Sequence, residues 1–236
     1  MQGSVLMRKW LYSVDNAIEG ILYAAKTERH VRFHLYSAAA LLVICFTFGI
    51  NKWEFIILTT MAAVVIVAEM FNSAIESVVD IVSPHMQERA RIAKDISAGA
   101  VLISSFVSLV AAYFILKPYV SDFYYNGIKI AGHSGDDIAV TSLIIIMIFV
   151  VIIKAYHGQI HPLKGGMPSG HAALSFSIFV SISLTHPAPP VIILSLLLAV
   201  IVSSSRIFLK IHSFIEVFAG AVLGSVTTFL LFKMFY

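Results

Sequence analysis

The stretch FIILTTMAAVVIVAEMFNSAIESVV, residues 55–79, decides the fold. It is apolar for long enough to cross a bilayer as a helix, which takes about 20 residues. Yet it carries Glu69, Asn72 and Glu76, with Asp80 just beyond, at successive spacings of three, four and four. In a helix those intervals put all four on one face. A carboxylate inside a span is costly and normally faces a bundle interior, so the stripe predicts a helical bundle built around polar chemistry.

Runs of comparable length recur on either side, at roughly 34–50, 97–116, 138–153, 171–186, 190–205 and 213–232. Hydrophobic residues make up 59% of the chain and charged residues 12%, far from the balance of a soluble domain. No strand alternation persists, so the expected fold class is all-α: a polytopic membrane protein with about seven transmembrane helices. Upstream of them Leu6, Trp10, Leu11, Val14, Ile18, Ile21, Leu22 and Ala25 recur at helical spacing, which predicts an amphipathic helix lying in the interface. Arg8 and Lys9 lead into no continuous apolar stretch, so this segment does not read as a signal peptide.

Charge placement suggests an orientation. Arg8, Lys9, Lys26, Arg29, Arg32, Arg89, Arg91, Lys94, Lys154, Lys164, Arg206 and Lys210 all fall on one side if every span crosses, which should be the cytoplasmic side of a bacterial inner membrane. The other side keeps Lys52, Lys117, Lys129 and Lys233. No basic stripe stands outside this membrane context, so nucleic acid is not an expected partner. Cys45 is the single cysteine, which excludes an intrachain disulfide.

The polar segment KPYVSDFYYNGIKIAGHSGDD divides the chain into residues 1–116 with three spans, a linker at 117–137, and residues 138–236 with four spans. HPAPP at 186–190 marks a turn between the fifth and sixth spans.

The acidic stripe suits phosphoryl transfer at a membrane surface. One carboxylate would take the proton of a lipid hydroxyl, others would hold Mg²⁺ against ATP phosphates, and a lysine would offset phosphate charge. Lys94 and Asp95 follow after the turn that ends the span. The segments EGILYAAKTERHVRFH (19–34), AEMFNSAIESVVD (68–80) and ARIAKDISAGAVL (90–102) resemble the prokaryotic diacylglycerol kinase/undecaprenol kinase family over about residues 8–116. The resemblance implies a homotrimer with three spans per subunit and active sites at subunit interfaces. Position by position it makes Glu69 the catalytic base with Asn72 assisting, Glu28 and Glu76 the Mg²⁺ ligands, and Lys94 and Asp95 contacts of ATP. KTERHVRFH looks closer to the undecaprenol kinase branch.

The second half carries a different chemistry. His212 and Glu216 are one helical turn apart at the start of the last span, so the carboxylate can orient the imidazole. Arg206 lies just before them and can grip phosphoryl oxygens in a fork. Ser169, Gly170 and His171 open the fifth span, where free N–H groups face an anion and His171 can supply a proton. PSGH (168–171) and SRIFLKIHSFIE (205–216) resemble the lipid phosphate phosphatase superfamily, the type 2 phosphatidic acid phosphatases. That resemblance implies phosphate-ester hydrolysis through a phosphohistidine at His212, with His171 as acid and no cofactor. Glu216 stands where the family has aspartate. In KAYHGQIHP (154–162), Lys154 and Pro162 fit the remaining segment, but His161 replaces its arginine, and Lys164 could compensate.

Together these segments describe a bifunctional enzyme acting on membrane lipids. Two other readings stand beside it: a kinase carrying a non-catalytic lipid-phosphate-binding domain, and a transporter whose intramembrane acids relay ions. The pairs His30/His34 and His157/His161 have metal-ligand spacing but no third ligand in view.

Overall fold

The computed structural model of the chain describes residues 2–85, 87–127, 130–156, 165–185 and 188–236, with side-chain surroundings from residue 13 onward. Its elements are all helices: α1 (Gln2–Thr27), α2 (Arg29–Phe48), α3 (Lys52–Val82), α4 (Glu88–Asn126), α5 (Gly135–Tyr156), α6 (Gly170–Thr185), α7 (Pro189–Phe208) and α8 (Phe214–Phe235). The seven expected spans coincide with α2 to α8. Six of these are long and apolar enough to cross a membrane, whereas α6 is a shorter apolar helix of 16 residues. His157, His161, Pro162, Lys164, Lys129, His186 and Pro187 lie outside the described residues.

The chain forms two compact units, residues 28–131 and residues 1–27 with 132–236. The first consists of α2, α3 and α4. Its core packs Cys45, Ile50 and Leu58 against Phe48, Phe55, Leu116 and Tyr119, so the lone cysteine is a packing residue. Gly49, at φ 63°, ends α2 in the left-handed conformation that glycine adopts without penalty. Asn51 then caps α3 by accepting from the Trp53 N–H at 2.9 Å. Across this end the Tyr119 hydroxyl donates to the Glu54 carboxylate at 2.5 Å and accepts from the Asn51 N–H at 3.2 Å. α4 runs on through Pro118 to Asn126, so the polar stretch after Leu116 begins as helix.

The second unit consists of α1 and α5 to α8. The sequence grouping counts α1 with the upstream spans, but it packs on α5. α6 lies against α5, α7 and α8. Its closest partner is α8, where a Cβ on Gly220 would sit 2.3 Å from the Ser169 carbonyl oxygen, and one on Gly224 would sit 2.0 Å from that of Ala173. The small residues Ser169, Ala173 and Ser177 at fourfold spacing meet Gly220, Gly224 and Thr228 at the same spacing, an arrangement that lets helix backbones touch in a membrane. Within the contact the hydroxyls of Ser177 and Thr228 are 2.7 Å apart, so neither polar group is left unsatisfied among apolar neighbours.

Candidate functional sites

In the first unit the stripe on α3 meets the start of α4. Glu69 is 5% exposed. One turn on, the Asn72 amide donates to the Glu76 carboxylate at 2.9 Å, while its carbonyl oxygen accepts from the Ser97 hydroxyl at 2.7 Å. Ser97 also touches the Lys94 carbonyl at 2.8 Å. Lys94 extends to Asp80 at 2.5 Å, which closes the network between the two helices. Four of the expected side chains thus converge, Asn72, Glu76 and Asp80 from α3 and Lys94 from α4, joined by the unanticipated Ser97 of α4. Asp95 pairs with Arg91 at 2.8 Å, and Glu28 is the N-cap residue of α2. His34 of α2 lies within electrostatic reach of Glu69, a neighbour that the sequence spacing did not single out.

The donor set of this cluster is carboxylate and amide oxygen. Among the described residues no three His, Cys, Asp or Glu side chains are grouped as a metal cage, and His30 and His34 gain no third ligand. Oxygen donors of this kind suit Mg²⁺, which is usually held by one or two carboxylates and completed by substrate phosphates, rather than zinc.

In the second unit the connection between α7 and α8 folds into a hook. The N–H groups of Ile211 and His212 both donate to the Arg206 carbonyl, at 3.0 and 3.1 Å, and Lys210 takes φ 54° to allow it. Ser213 and Glu216 form a reciprocal capping box that starts α8. The hook brings His212 Nδ1 to 2.7 Å from Glu216 Oε2. A carboxylate there fixes the Nδ1–H tautomer and leaves the Nε2 lone pair available. The carboxylate is itself held by the N–H groups of Ser213, at 3.3 Å, and Gly166. Gly165 and Gly166 have φ of 131° and 101°, a conformation that L side chains rarely adopt. The Gly-Gly pair before PSGH was the signal for this support, and the sequence motifs passed over it.

The His212 side chain is 3% exposed. Burial pushes it below the usual imidazole range, opposed by its hydrogen bond to Glu216 and reinforced by the charges of Lys154 and Arg206. It is therefore neutral at neutral pH, the form that can attack phosphorus. Facing it is the start of α6, fixed where the Ser169 N–H donates to the Glu216 carbonyl at 2.9 Å. Gly170 opens the helix and His171 follows, exposed, within electrostatic reach of Arg206, His212 and Lys154. Lys154 is buried in the last turn of α5 and senses Glu216.

Two buried polar atoms here have no hydrogen-bond partner among the described residues: Ser169 Oγ and Arg206 Nε. An unmet buried group costs about 1–3 kcal/mol, more when charged. Both belong to residues of the phosphate motifs, and an oxyanion would satisfy both.

Comparison with known proteins finds a different family in each half of the chain. The family model for prokaryotic diacylglycerol kinase matches residues 15–116, and that for the PAP2 superfamily matches residues 98–236. The second match begins inside α4 and overlaps the first. An undecaprenol kinase of Bacillus subtilis is 30% identical over 112 residues, 48% of this chain and 91% of that protein. A diacylglycerol kinase of Synechocystis is 32% identical over 109 residues, 46% of this chain, which span 62% of the relative's length. A diacylglycerol kinase of Haemophilus influenzae is 30% identical over 92 residues, 39% of this chain and 78% of its own. No solved structure matches the chain. The protein is thus a fusion of a lipid kinase domain and a phosphatase domain, a member of the prokaryotic diacylglycerol kinase family in its first half and of the PAP2 superfamily in its second.

Proposed function

We propose that the chain is a bifunctional enzyme of polyprenyl phosphate metabolism in a bacterial inner membrane. Its first unit phosphorylates undecaprenol, or diacylglycerol, from MgATP. Its second removes phosphate from a lipid phosphate, foremost undecaprenyl pyrophosphate. The observation that carries this reading is the hook at 205–216, where an oriented neutral His212 faces two orphaned buried donors from the phosphate motifs.

In the kinase step Glu69 takes the proton of the lipid hydroxyl as that oxygen bonds to the γ-phosphorus, and the bond to the β-phosphate oxygen breaks to release ADP. Lys94 and Asp95 position the nucleotide, and Asn72 orients Glu76. Glu76 and Glu28 would hold Mg²⁺, which when bound would neutralise charge on the phosphates.

In the phosphatase step His212 Nε2 attacks phosphorus while Arg206, Lys154, Ser169 Oγ and the Gly170 and His171 N–H groups receive the phosphoryl oxygens. The bond between phosphorus and the leaving oxygen breaks, the anhydride in a lipid pyrophosphate or the ester in a monophosphate, and its electron pair stays on the leaving oxygen, which takes a proton from His171. Water then attacks the phosphohistidine, gives its proton to His171 and releases inorganic phosphate.

The distribution of positive charge in the sequence supports a cytoplasmic position for both sites. A phosphatase that cleaved the kinase's own product there would waste ATP. Hydrolysis of the pyrophosphate makes the two activities converge on undecaprenyl monophosphate. The test is to compare phosphate release from undecaprenyl monophosphate and pyrophosphate, alongside transfer of labelled γ-phosphate to undecaprenol and diacylglycerol. Faster release from the pyrophosphate is expected, and faster release from the monophosphate contradicts convergence.

A further inference from the structure

Lys94 and Asp95 stand side by side near the start of α4 with opposite charges, yet the kinase step needs both of them for the nucleotide. If they closed on one another, each would be lost to ATP. Among the described residues they do not pair. The Lys94 ammonium reaches across to Asp80 of α3 at 2.5 Å. Asp95 is held from its own helix, where Arg91 Nη1 donates to Asp95 Oδ2 at 2.8 Å.

Arg91 is itself fixed at its other two nitrogens. Nη2 and Nε donate to the two carboxylate oxygens of Glu88 at 2.7 and 3.3 Å, a forked pairing that sets the plane of the guanidinium. Glu88 lies in the first turn of α4, where the helix dipole favours a carboxylate. Glu88, Arg91 and Asp95 follow at intervals of three and four, so they form one line along the helix surface. Exposed ion pairs of this kind add little to stability. Their consequence here is positional.

The two pairs divide the charge of the site. Lys94 is drawn onto the α3 stripe one turn beyond Glu76, where phosphates would meet it. Asp95 is an acceptor-only group, suited to the hydroxyl and amino donors of a nucleoside and unsuited to phosphate oxygens. Arg91 offsets the repulsion between that carboxylate and a triphosphate. We infer that Arg91 is a positioning residue of the nucleotide site, holding the Asp95 carboxylate apart from Lys94 and turned to accept from the nucleoside of ATP. This rests on the kinase reading above, which assigns Asp95 to the nucleotide.

The test measures phosphorylation of undecaprenol by the full chain in detergent-lipid micelles while MgATP is varied. Arg91→Ala should raise KM for MgATP about three- to tenfold, a modest loss because water screens both partners. The kcat, KM for undecaprenol and thermal stability should hold. Asp95→Asn should raise KM for MgATP too. Arg91→Ala added to Asp95→Asn should then change KM by less than about twofold, since no carboxylate is left to hold. An unchanged KM in Arg91→Ala overturns the inference. So does an undiminished effect in the Asp95→Asn background, which would mean that Arg91 acts on the nucleotide by itself. A fall in kcat and thermal stability with KM unmoved overturns it as well, because the start of α4 would merely have frayed. Wild type that transfers no phosphate from ATP, or Asp95→Asn with the wild-type KM, overturns the kinase reading of Asp95, and the inference with it.

Discussion

The two units bury polar groups among apolar helices by opposite means. In the first, α3 and α4 are cross-linked by side chains: Asn72 to Ser97, and Asp80 to Lys94. Little else is enclosed, for α4 buries Ser97 alone and α3 only Leu58, Val65 and Glu69. In the second, α6 and α8 approach until backbone meets backbone, with Gly220 and Gly224 against the Ser169 and Ala173 carbonyls. A hook then holds His212 by main-chain hydrogen bonds. The lesson is that one site is tied by replaceable polar links on helices whose outer faces stay uncovered, which suits the proposed trimer. The other is set by the path of its own backbone.

The largest effect that separates the two is chemical. Glu69→Gln should cut lipid phosphorylation by about 10²–10⁴-fold, the range for losing a general base, and leave phosphate release intact. A parallel fall in both activities would mean the sites are not independent.

Next comes packing. Gly224→Leu places a side chain where even a Cβ would overlap the Ala173 carbonyl. The overlap is with backbone, so the cost should be at or above the upper end of the usual 1–3 kcal/mol for overpacking, about 3 kcal/mol. Phosphatase activity and the thermal stability of that unit should collapse together, while kinase activity survives. The polar-linked pair α3–α4 offers no equivalent position: a Cβ on Gly99 would meet nothing within 4 Å, so Gly99→Ala is expected to be silent.

A smaller effect is a shift in pH dependence. Burial lowers the His212 pKa and the hydrogen bond to Glu216 raises it. Glu216→Gln removes the upward pull, so the acid limb of kcat/KM should move to lower pH. The plateau should fall by about 10–100-fold as the tautomer is no longer enforced. A shift of the limb to higher pH would contradict the assigned geometry. Smallest is Ser97→Ala, which removes one cross-link of about 0.5–1.5 kcal/mol and should slow the kinase about two- to tenfold.

Much of this architecture is legible in the sequence, because span length and the Glu69-Asn72-Glu76-Asp80 stripe report directly on bilayer physics. The helix bounds are less so. α4 passes Leu116 and Pro118 without ending, since a helix leaving the hydrocarbon meets water that can serve a backbone group freed by proline. The motif residues Ser169, Arg206, His212 and Glu216 are recognisable by spacing, but their support is not. Ser97 looks like any serine on an apolar helix, and Gly165 and Gly166 like a loose loop. The Gly220-Gly224 spacing was visible, and only a partner with small residues at the same fourfold interval gives it meaning.

The central claim, two separate active sites on one chain, is tested most directly by phosphate release from undecaprenyl pyrophosphate without ATP. Wild type and His212→Ala would be compared in preparations whose ATP-dependent lipid phosphorylation is measured in parallel. The account predicts release by wild type, its loss in His212→Ala by about 10³-fold or more, and equal kinase activity in both. Release that persists in His212→Ala, or none from wild type with an active kinase, would contradict it.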